Sequence, residues 1–251
     1  MIYENKLEKI DEIQKKINNF RPLASQELES LKEYYRIGFT YTSNALEGNS
    51  LSETETKIVI EDGITIGGKL LREHFEAIGH SDAYDLLCKL AKKRNITEQD
   101  ILNLHRLFYY RIDQENAGNY RKVKVFISGT DFVPPLPTKV PELMKNFAKQ
   151  IPTLKEEKHP VEYAALLHKD LVEIHPFVDG NGRAARLLMN LALLQYGYPI
   201  TIIPPVLRND YITAIKQTQT ETKDNTPFIN FISCMVYESQ KDYVRLLEGS
   251  Q

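Results

Sequence analysis

Apolar positions recur at three- and four-residue steps along most of the chain, a pattern typical of amphipathic helices. Ser25 can cap one of these helices, and Ser52 with Glu55 has the spacing of a capping box. Pro160 and Pro227 suit the first turns of two later helices. The patterns predict helices over about residues 2–20, 25–39, 52–62, 69–93, 97–108, 140–150, 160–173, 183–196, 208–219 and 227–247.

Residues 118–137 depart from this helical pattern. Val123, Val125 and Ile127 alternate with polar residues before a Ser-Gly-Thr-Asp turn, and two prolines follow at 134 and 135. Alternation around a turn predicts a β-hairpin, and prolines permit only an edge strand. We therefore expect an all-α fold with one β-hairpin. We divide it into an N-terminal helical region, residues 1–62, packed on a core domain, residues 63–251.

Composition narrows the class of protein. The 251 residues are 42% hydrophobic and 26% charged, which is typical of a globular protein, and the net charge is −2. This balance gives no overall attraction to nucleic acid or to an anionic membrane, so we expect neither as a partner. Two cysteines cannot form a disulfide framework or a four-thiolate zinc site. The sequence has no signal-peptide pattern and no apolar stretch long enough for a membrane span, so we expect a cytoplasmic protein.

The loop before the helix predicted at 183–196 has the features of a phosphate site. Gly180, Asn181 and Gly182 allow backbone amides to point into a concave turn, and the unpaired amides of the next helix face the same space. Such a place attracts anions. Arg183 and Arg186 lie three residues apart on one helix face and can form forked hydrogen bonds to phosphate oxygens.

Two further side chains of the same loop suggest a reaction. Asp179 offers one hard oxygen, which is typical of a magnesium ion that takes its other ligands from phosphates and water. His175 precedes the loop, and an ordinary histidine pKa of about 6.5 makes it an available base near neutral pH. Together these residues indicate phosphate binding, charge neutralisation and removal of a hydroxyl proton.

Residues 175–186 resemble the signature of the Fic family, His-Pro-Phe-x-Asp/Glu-Gly-Asn-Gly-Arg-x-x-Arg, at every fixed position. Residues 118–121 and the hairpin look like the family's flap, and residues 197–199 with Arg208 and Tyr211 look like its downstream core. The six residues from Ser43 to Gly48 match the family's inhibitory motif, Ser/Thr-x-x-x-Glu-Gly/Asn. The position of this motif before the core resembles the class whose inhibitory helix is N-terminal.

The resemblance implies a protein adenylyltransferase that moves AMP from ATP to a Tyr, Thr or Ser hydroxyl of a target protein. It implies that His175 deprotonates the hydroxyl, that Asp179 holds Mg²⁺, and that Tyr211 lines the adenine side. The phosphates would bind to Gly180, Asn181, Gly182, Arg183 and Arg186. The target would pair with flap residues Val123, Lys124, Val125, Phe126 and Ile127. The enzyme itself is a possible target, and a homo-oligomer is open.

For the inhibitory motif, comprising Ser43, Glu47 and Gly48, the hypothesis is that Glu47 pairs with Arg186 and removes the γ-phosphate's partner. The resemblance leaves alternatives open. These are hydrolytic removal of AMP, alone or beside transfer; another donor such as UTP or GTP; transfer of phosphocholine, or of phosphate as in the Doc branch; and a regulatory scaffold without turnover. The intact Gly180-Asn181-Gly182 favours nucleotidyl transfer, and the presence of both His175 and Asp179 favours an enzyme.

Overall fold

The computed structural model describes residues 3–127, 130, 132–219 and 224–249, and its regular structure is helical. A π-helical turn, Ile58–Asp62, follows the short helix that ends at Lys57. 3₁₀ turns at Pro137–Lys139 and Pro205–Leu207 lead into the helices that begin at Val140 and Arg208. The predicted all-α class is confirmed. The α-helices are α1 (Leu7–Asn19), α2 (Ser25–Ala45), α3 (Glu53–Lys57), α4 (Leu71–Leu90), α5 (Glu98–Tyr109), α6 (Val140–Glu157), α7 (Pro160–Ile174), α8 (Asn181–Gln195), α9 (Arg208–Thr218) and α10 (Thr226–Gly249).

Helix α8 lies at the centre of the fold. Every residue from Arg183 to Leu193 is buried, as expected of a helix with apolar residues around its whole circumference. Its most extensive packing is against α7, where Leu167 and Leu171 are inaccessible to solvent. Because Arg183 and Arg186 lie at the N-terminal end of this helix, packing of its apolar residues fixes both guanidinium groups inside the protein.

The N-terminal helices share this core. Ile10 and Ile17 of α1 are completely buried, and Gln14 accepts a hydrogen bond from Gln240 of α10 at 2.9 Å. Phe39 of α2 belongs to the same apolar cluster. The predicted packing of N-terminal helices on the core is therefore confirmed, whereas the division of the chain after residue 62 stays a prediction.

The predicted hairpin is not confirmed. Residues 118–127 and 132–136 contain no strand, and Ser128, Gly129 and Asp131 of the predicted turn lie outside the part of the chain that the structure describes. The exposure of the alternating face gives the physical reason: Val123 is 58% exposed, and Val125 and Ile127 are only partly buried, so this face is not fully covered. Phe126 and Val133 are also exposed, at 86% and 74%. Alternation favours a strand only where one face is covered.

Helix α6 continues past its predicted end near residue 150, with Pro152 in its interior. Proline in a helix costs about 3 kcal/mol because it removes a hydrogen bond. Phe147 and Ile151 are buried in the core, and this burial favours continuation of the helix.

Over the described ranges, no helix is both long and apolar enough to cross a membrane.

Candidate active site

The loop of residues 175–180 joins α7 to α8 and is bounded by two left-handed residues. His175 has φ 49° and ends α7, and Gly180 has φ 78° and precedes α8. A histidine with positive φ is uncommon and needs support from its surroundings. Arg121 supplies it, because its Nε donates to the His175 carbonyl at 2.7 Å.

The Arg121 side chain is itself buried and joins the loop to the flap segment, residues 118–137. Its Nη1 donates to the Val123 carbonyl at 3.1 Å, and its Nη2 donates to the Pro135 carbonyl at 2.5 Å. The Arg121 backbone N–H also donates to the Pro176 carbonyl at 2.9 Å. Burial lowers the pKa of Arg121. One side chain therefore fixes the backbone of His175 and both ends of the flap segment together.

Asn181 closes the loop from the other end. Its Oδ1 accepts from the Phe177 N–H, and its Nδ2 donates to the Phe177 carbonyl, both at 2.9 Å. The Phe177 ring is buried and stacks on His105, with ring centroids 3.6 Å apart. The Asn181 side chain thus holds the loop in shape, and its backbone N–H lies in the first turn of α8, where N–H groups have no acceptor within the helix.

His105 of α5 holds the loop through hydrogen bonds. Its Nδ1 accepts from the Gly118 N–H at 3.0 Å, so its Nε2 carries the proton and donates to the Asp179 carbonyl at 3.0 Å. Burial lowers the pKa of His105 to about 4, which keeps the ring neutral. A neutral ring is what this pair of bonds requires.

The surroundings of the His175 imidazole select one tautomer and keep the ring neutral. Its Nδ1 lies 3.3 Å from the Val172 carbonyl, an arrangement that assigns the proton to Nδ1 and leaves the Nε2 lone pair free. Burial lowers the pKa of His175 to about 4, and the positive charge of Arg121 acts in the same direction. The ring is therefore neutral at physiological pH.

Arg186 is held mainly by α2 and by the turn that follows it. Its Nε donates to Ser43 Oγ at 3.0 Å, and its Nη2 donates to the Ser43 carbonyl and to Glu47 Oε1, each at 2.7 Å. From the core side, Nη1 donates to the Tyr211 hydroxyl at 3.2 Å, which in turn bonds His168 Nε2 at 2.9 Å. Contacts from α2 and its following turn and a contact from Tyr211 of α9 therefore meet at the Arg186 guanidinium.

Glu47 lies directly over the first turn of α8. A Cβ added at Gly182 would collide with the Glu47 carboxylate, so a larger residue there would require this carboxylate to shift. Burial alone would raise the pKa of Glu47, but the charges of Arg186 and Arg183 outweigh it and hold the pKa below its usual value. Glu47 is therefore an anion at neutral pH and occupies space beside the helix N-terminus.

Arg183 belongs to a second group of charges. Its Nη1 lies 3.0 Å from Glu76 Oε1 and 3.4 Å from Asn44 Oδ1, and its Nη2 lies 3.7 Å from Asp179 Oδ1. The guanidinium also lies over the Phe108 ring, 4.3 Å from its centroid. Asp179 keeps 42% of its side-chain surface exposed. The site thus combines buried cations with one carboxylate that is open to solvent.

Comparison with known proteins assigns this site to a family. Residues 95–193 match the Fic/DOC family. The chain is 31% identical to Fic-1 from C. elegans, with a TM-score of 0.87 over 98% of this chain and 72% of that one. The chain belongs to the Fic/DOC family. A Fic domain containing signaling protein from Bacteroides thetaiotaomicron is also similar, at 29% identity and a TM-score of 0.88, over 96% of this chain and 97% of that one.

Relatives with curated names include the Protein adenylyltransferase Fic of Nematostella vectensis. It is 37% identical over 230 residues, which are 90% of this chain and 53% of the relative. The relative from Drosophila mojavensis, of the same name, is 36% identical over 93% of this chain and 46% of its own length. The chain thus spans about half the length of these curated relatives.

The structure brings most of the predicted Fic residues to one place. The signature residues His175, Asp179, Gly180, Asn181, Gly182, Arg183 and Arg186 lie on the loop and the first turns of α8, and Ser43 and Glu47 reach them from α2 and its following turn. Gly48 has φ 95° and ends that turn. The roles expected of these residues stay predictions. Tyr211 is buried behind Arg186, and its predicted place beside the adenine also stays a prediction.

Sequence reasoning missed several side chains that shape this Fic site. The sequence pattern gives no reason to single out His105, and Arg121 lies within the flap resemblance without a role of its own. Arg72 and Glu76 of α4 were not singled out, although their spacing of four residues suits a helical ion pair. The contacts of these four side chains with the loop and with Arg183 join positions far apart in the chain, so no local pattern indicates them.

Proposed function

We propose that this Fic protein transfers AMP from ATP to a Tyr, Thr or Ser hydroxyl of a target protein, and that Glu47 restrains the transfer. The observation that supports this most directly is the convergence of His175, Asp179 and two buried arginines on the first turns of α8. Similarity to proteins named adenylyltransferase, at 35–39% identity, supports ATP as the donor and a protein as the acceptor.

In the proposed reaction, His175 Nε2 accepts the proton of the target hydroxyl. The hydroxyl oxygen then forms a bond to the α-phosphorus, and the bond from that phosphorus to the bridging oxygen breaks. Pyrophosphate leaves with the bonding electron pair. The hydrogen bond from Nδ1 to the Val172 carbonyl orients the ring for this task and stabilises the proton that the ring already carries.

The phosphates would bind at the start of α8. The first backbone N–H groups of a helix have no acceptor within the helix, and the helix dipole favours an anion there. Arg183 and Arg186 would neutralise the charge that develops on the leaving pyrophosphate, and their burial strengthens this interaction. Glu47 competes for Arg186, since its carboxylate already accepts from Nη2.

Asp179 fits a magnesium ion that arrives with the nucleotide. Over the residues described, no three or more His, Cys, Asp or Glu side chains are grouped so as to hold a metal by themselves. A single exposed carboxylate instead suits Mg²⁺, which takes most of its ligands from phosphates and water. When bound, Mg²⁺ would neutralise phosphate charge and orient the nucleotide.

The flap segment is proposed to bind the target. Phe126 is the most exposed of its apolar side chains, and Val123 beside it is 58% exposed. An extended target segment can pair with backbone groups at positions 123–127, the predicted contact surface, and can cover these side chains. The buried bonds of Arg121 link that surface to His175.

The reaction is tested by asking which phosphate of ATP remains on protein. The Glu47→Gly variant is incubated with Mg²⁺, a cell lysate and ATP labelled either at the α- or at the γ-phosphate. The same protein with His175→Ala added is the control, because kinases of the lysate add γ-label in both samples. Relative to this control, we expect extra label on protein only from the α position, and mass spectrometry to place an AMP adduct on a hydroxyl side chain of a target or of the enzyme itself. Extra γ-label would instead indicate phosphoryl transfer. UTP and GTP serve as parallel donors.

The lowered pKa of His175 predicts an unusual pH profile. A base with a pKa of about 4 is deprotonated throughout the neutral range and loses its lone pair only as the pH falls toward 4. We therefore expect kcat/KM of Glu47→Gly to stay nearly constant from pH 7.5 to about 5, with no half-loss near 6.5. Initial rates across this range, with circular dichroism as a control for folding, measure it. A half-loss near pH 6.5 in folded protein would instead show that the pKa of His175 is not lowered.

A further inference from the structure

Arg72 makes direct contact with the proposed metal carboxylate. Its Nη2 lies 2.5 Å from Asp179 Oδ2, and its Nε lies 3.2 Å from Glu76 Oε1. It belongs to the first turn of α4, outside the residues 95–193 that match the family. Its side chain is 52% exposed, so solvent, a metal or a nucleotide can reach it.

We propose that Arg72 is a phosphate-binding residue of this protein, and that in the free enzyme it acts as the counter-ion of Asp179. This inference rests on the proposed binding of ATP and Mg²⁺. A guanidinium and a divalent cation compete for the same carboxylate oxygens, and two cations beside one carboxylate repel each other. Binding of the metal at Asp179 therefore displaces Arg72 from it.

Glu76 determines where the displaced guanidinium goes. Its carboxylate is 10% exposed and lies 3.0 Å from Arg183 Nη1 as well as 3.2 Å from Arg72 Nε. Because this carboxylate remains in place, it keeps Arg72 within reach of the metal and of Arg183. The groups that occupy that neighbourhood are the outer phosphates, which accept forked hydrogen bonds from a guanidinium. Arg72 thus exchanges the Asp179 carboxylate for an outer phosphate of the nucleotide.

An exposed ion pair outside the site provides the comparison. Arg111 Nη1 lies 2.5 Å from Asp82 Oδ2, and the two side chains are 41% and 39% exposed, close to the 52% and 42% of Arg72 and Asp179. This pair is similar in length and exposure, but it involves none of the site residues. Arg111→Ala is therefore the matched control for removal of an exposed arginine.

The test measures binding and requires no AMP transfer. In a Glu47→Gly background, electron paramagnetic resonance follows Mn²⁺ binding to the nucleotide-free protein, and calorimetry follows pyrophosphate binding with Mg²⁺ present. We expect Arg72→Ala to strengthen Mn²⁺ binding about threefold, which lies within the range for an exposed ion pair. We expect it to weaken pyrophosphate binding about tenfold, as for loss of a charged hydrogen bond. Arg72→Lys should fall between these values and wild-type behaviour.

The proposal requires both results for Arg72→Ala, the stronger Mn²⁺ binding and the weaker pyrophosphate binding. If Arg72→Ala behaves like Arg111→Ala in either measurement, the exchange is wrong and Arg72 is an ordinary surface residue. Asp179→Ala separates this outcome from failure of the proposed function. If that variant binds Mn²⁺ as well as its parent does, the metal site itself is misplaced and both proposals fall. If it loses Mn²⁺ while Arg72→Ala changes nothing, only the role of Arg72 is overturned.

Discussion

Replacing His175 with alanine is expected to lower the rate of AMP transfer by about 10²- to 10⁴-fold, the usual contribution of a positioned general base. Among the described residues of the site, none is placed to substitute for it: Arg183 and Arg186 are cations, Asp179 contacts Arg72 and Arg183, and the Glu47 carboxylate is absent from the Glu47→Gly background. The affinity for ATP should change little, because the proposed phosphate site lies at the start of α8. Transfer of α-labelled AMP in the Glu47→Gly background, with nucleotide binding measured separately, tests this.

A second replacement separates chemistry from backbone strain. His175 has a left-handed φ of 49°, a conformation that asparagine adopts more readily than alanine. His175→Asn should therefore keep the loop and still lose the base. If either variant retains transfer near that of its parent, His175 is not the base. If only the alanine variant is inactive, the defect lies in the shape of the loop.

Replacing Glu47 with glycine is expected to raise AMP transfer by about tenfold or more. The change removes the carboxylate that accepts from Arg186 Nη2 at 2.7 Å and clears the space over Gly182. A hydrogen bond to a charged group contributes about 1.5–3 kcal/mol, and about 1.4 kcal/mol corresponds to a factor of ten. Glu47 keeps 35% of its side-chain surface exposed, so we take the lower end of that range. Initial rates with a saturating target measure the gain.

Glu47→Gln is the matched control, because it keeps the size of the side chain and removes its charge. Partial activation by glutamine would assign the restraint to charge and bulk together. Equal rates for wild type and Glu47→Gly would refute autoinhibition. An AMP-modified target incubated with both proteins tests the remaining alternative: loss of AMP with wild type and not with Glu47→Gly would indicate that the glutamate supports hydrolytic removal.

The sequence was sufficient for the helical class, the family and the core of the site. Residues 175–186 form a contiguous motif, and the burial of α8 follows from its apolar residues, so local information was enough there. The pairing of Glu47 with Arg186 was also anticipated, although 139 positions separate the two residues, because a resemblance supplied what spacing could not. Pattern alone identifies Glu47 only as an acidic residue near a helix end.

Other features depend on contacts that no local pattern encodes. The hairpin was predicted from alternation of apolar and polar residues with a period of two. Such alternation favours a strand only where another surface covers one face, and Phe126 and Val133 are exposed. The contacts of His105 with Gly118 and Asp179 depend on how α5 packs beside the loop. Arg72 and Glu76 acquire meaning only because α4 passes next to Asp179.

The hydrogen bonds that Ser43 accepts from Arg186 distinguish two ways of relieving the proposed restraint by Glu47. A single change at position 47 leaves the serine hydroxyl and carbonyl in place, so the arginine stays aligned for an incoming nucleotide. Cleaving away the whole N-terminal segment would strip a buried cation of three of its four bonds and leave it attached only to Tyr211. The segment that carries the proposed restraint is thus also a structural support, which favours release by small displacements over proteolytic removal.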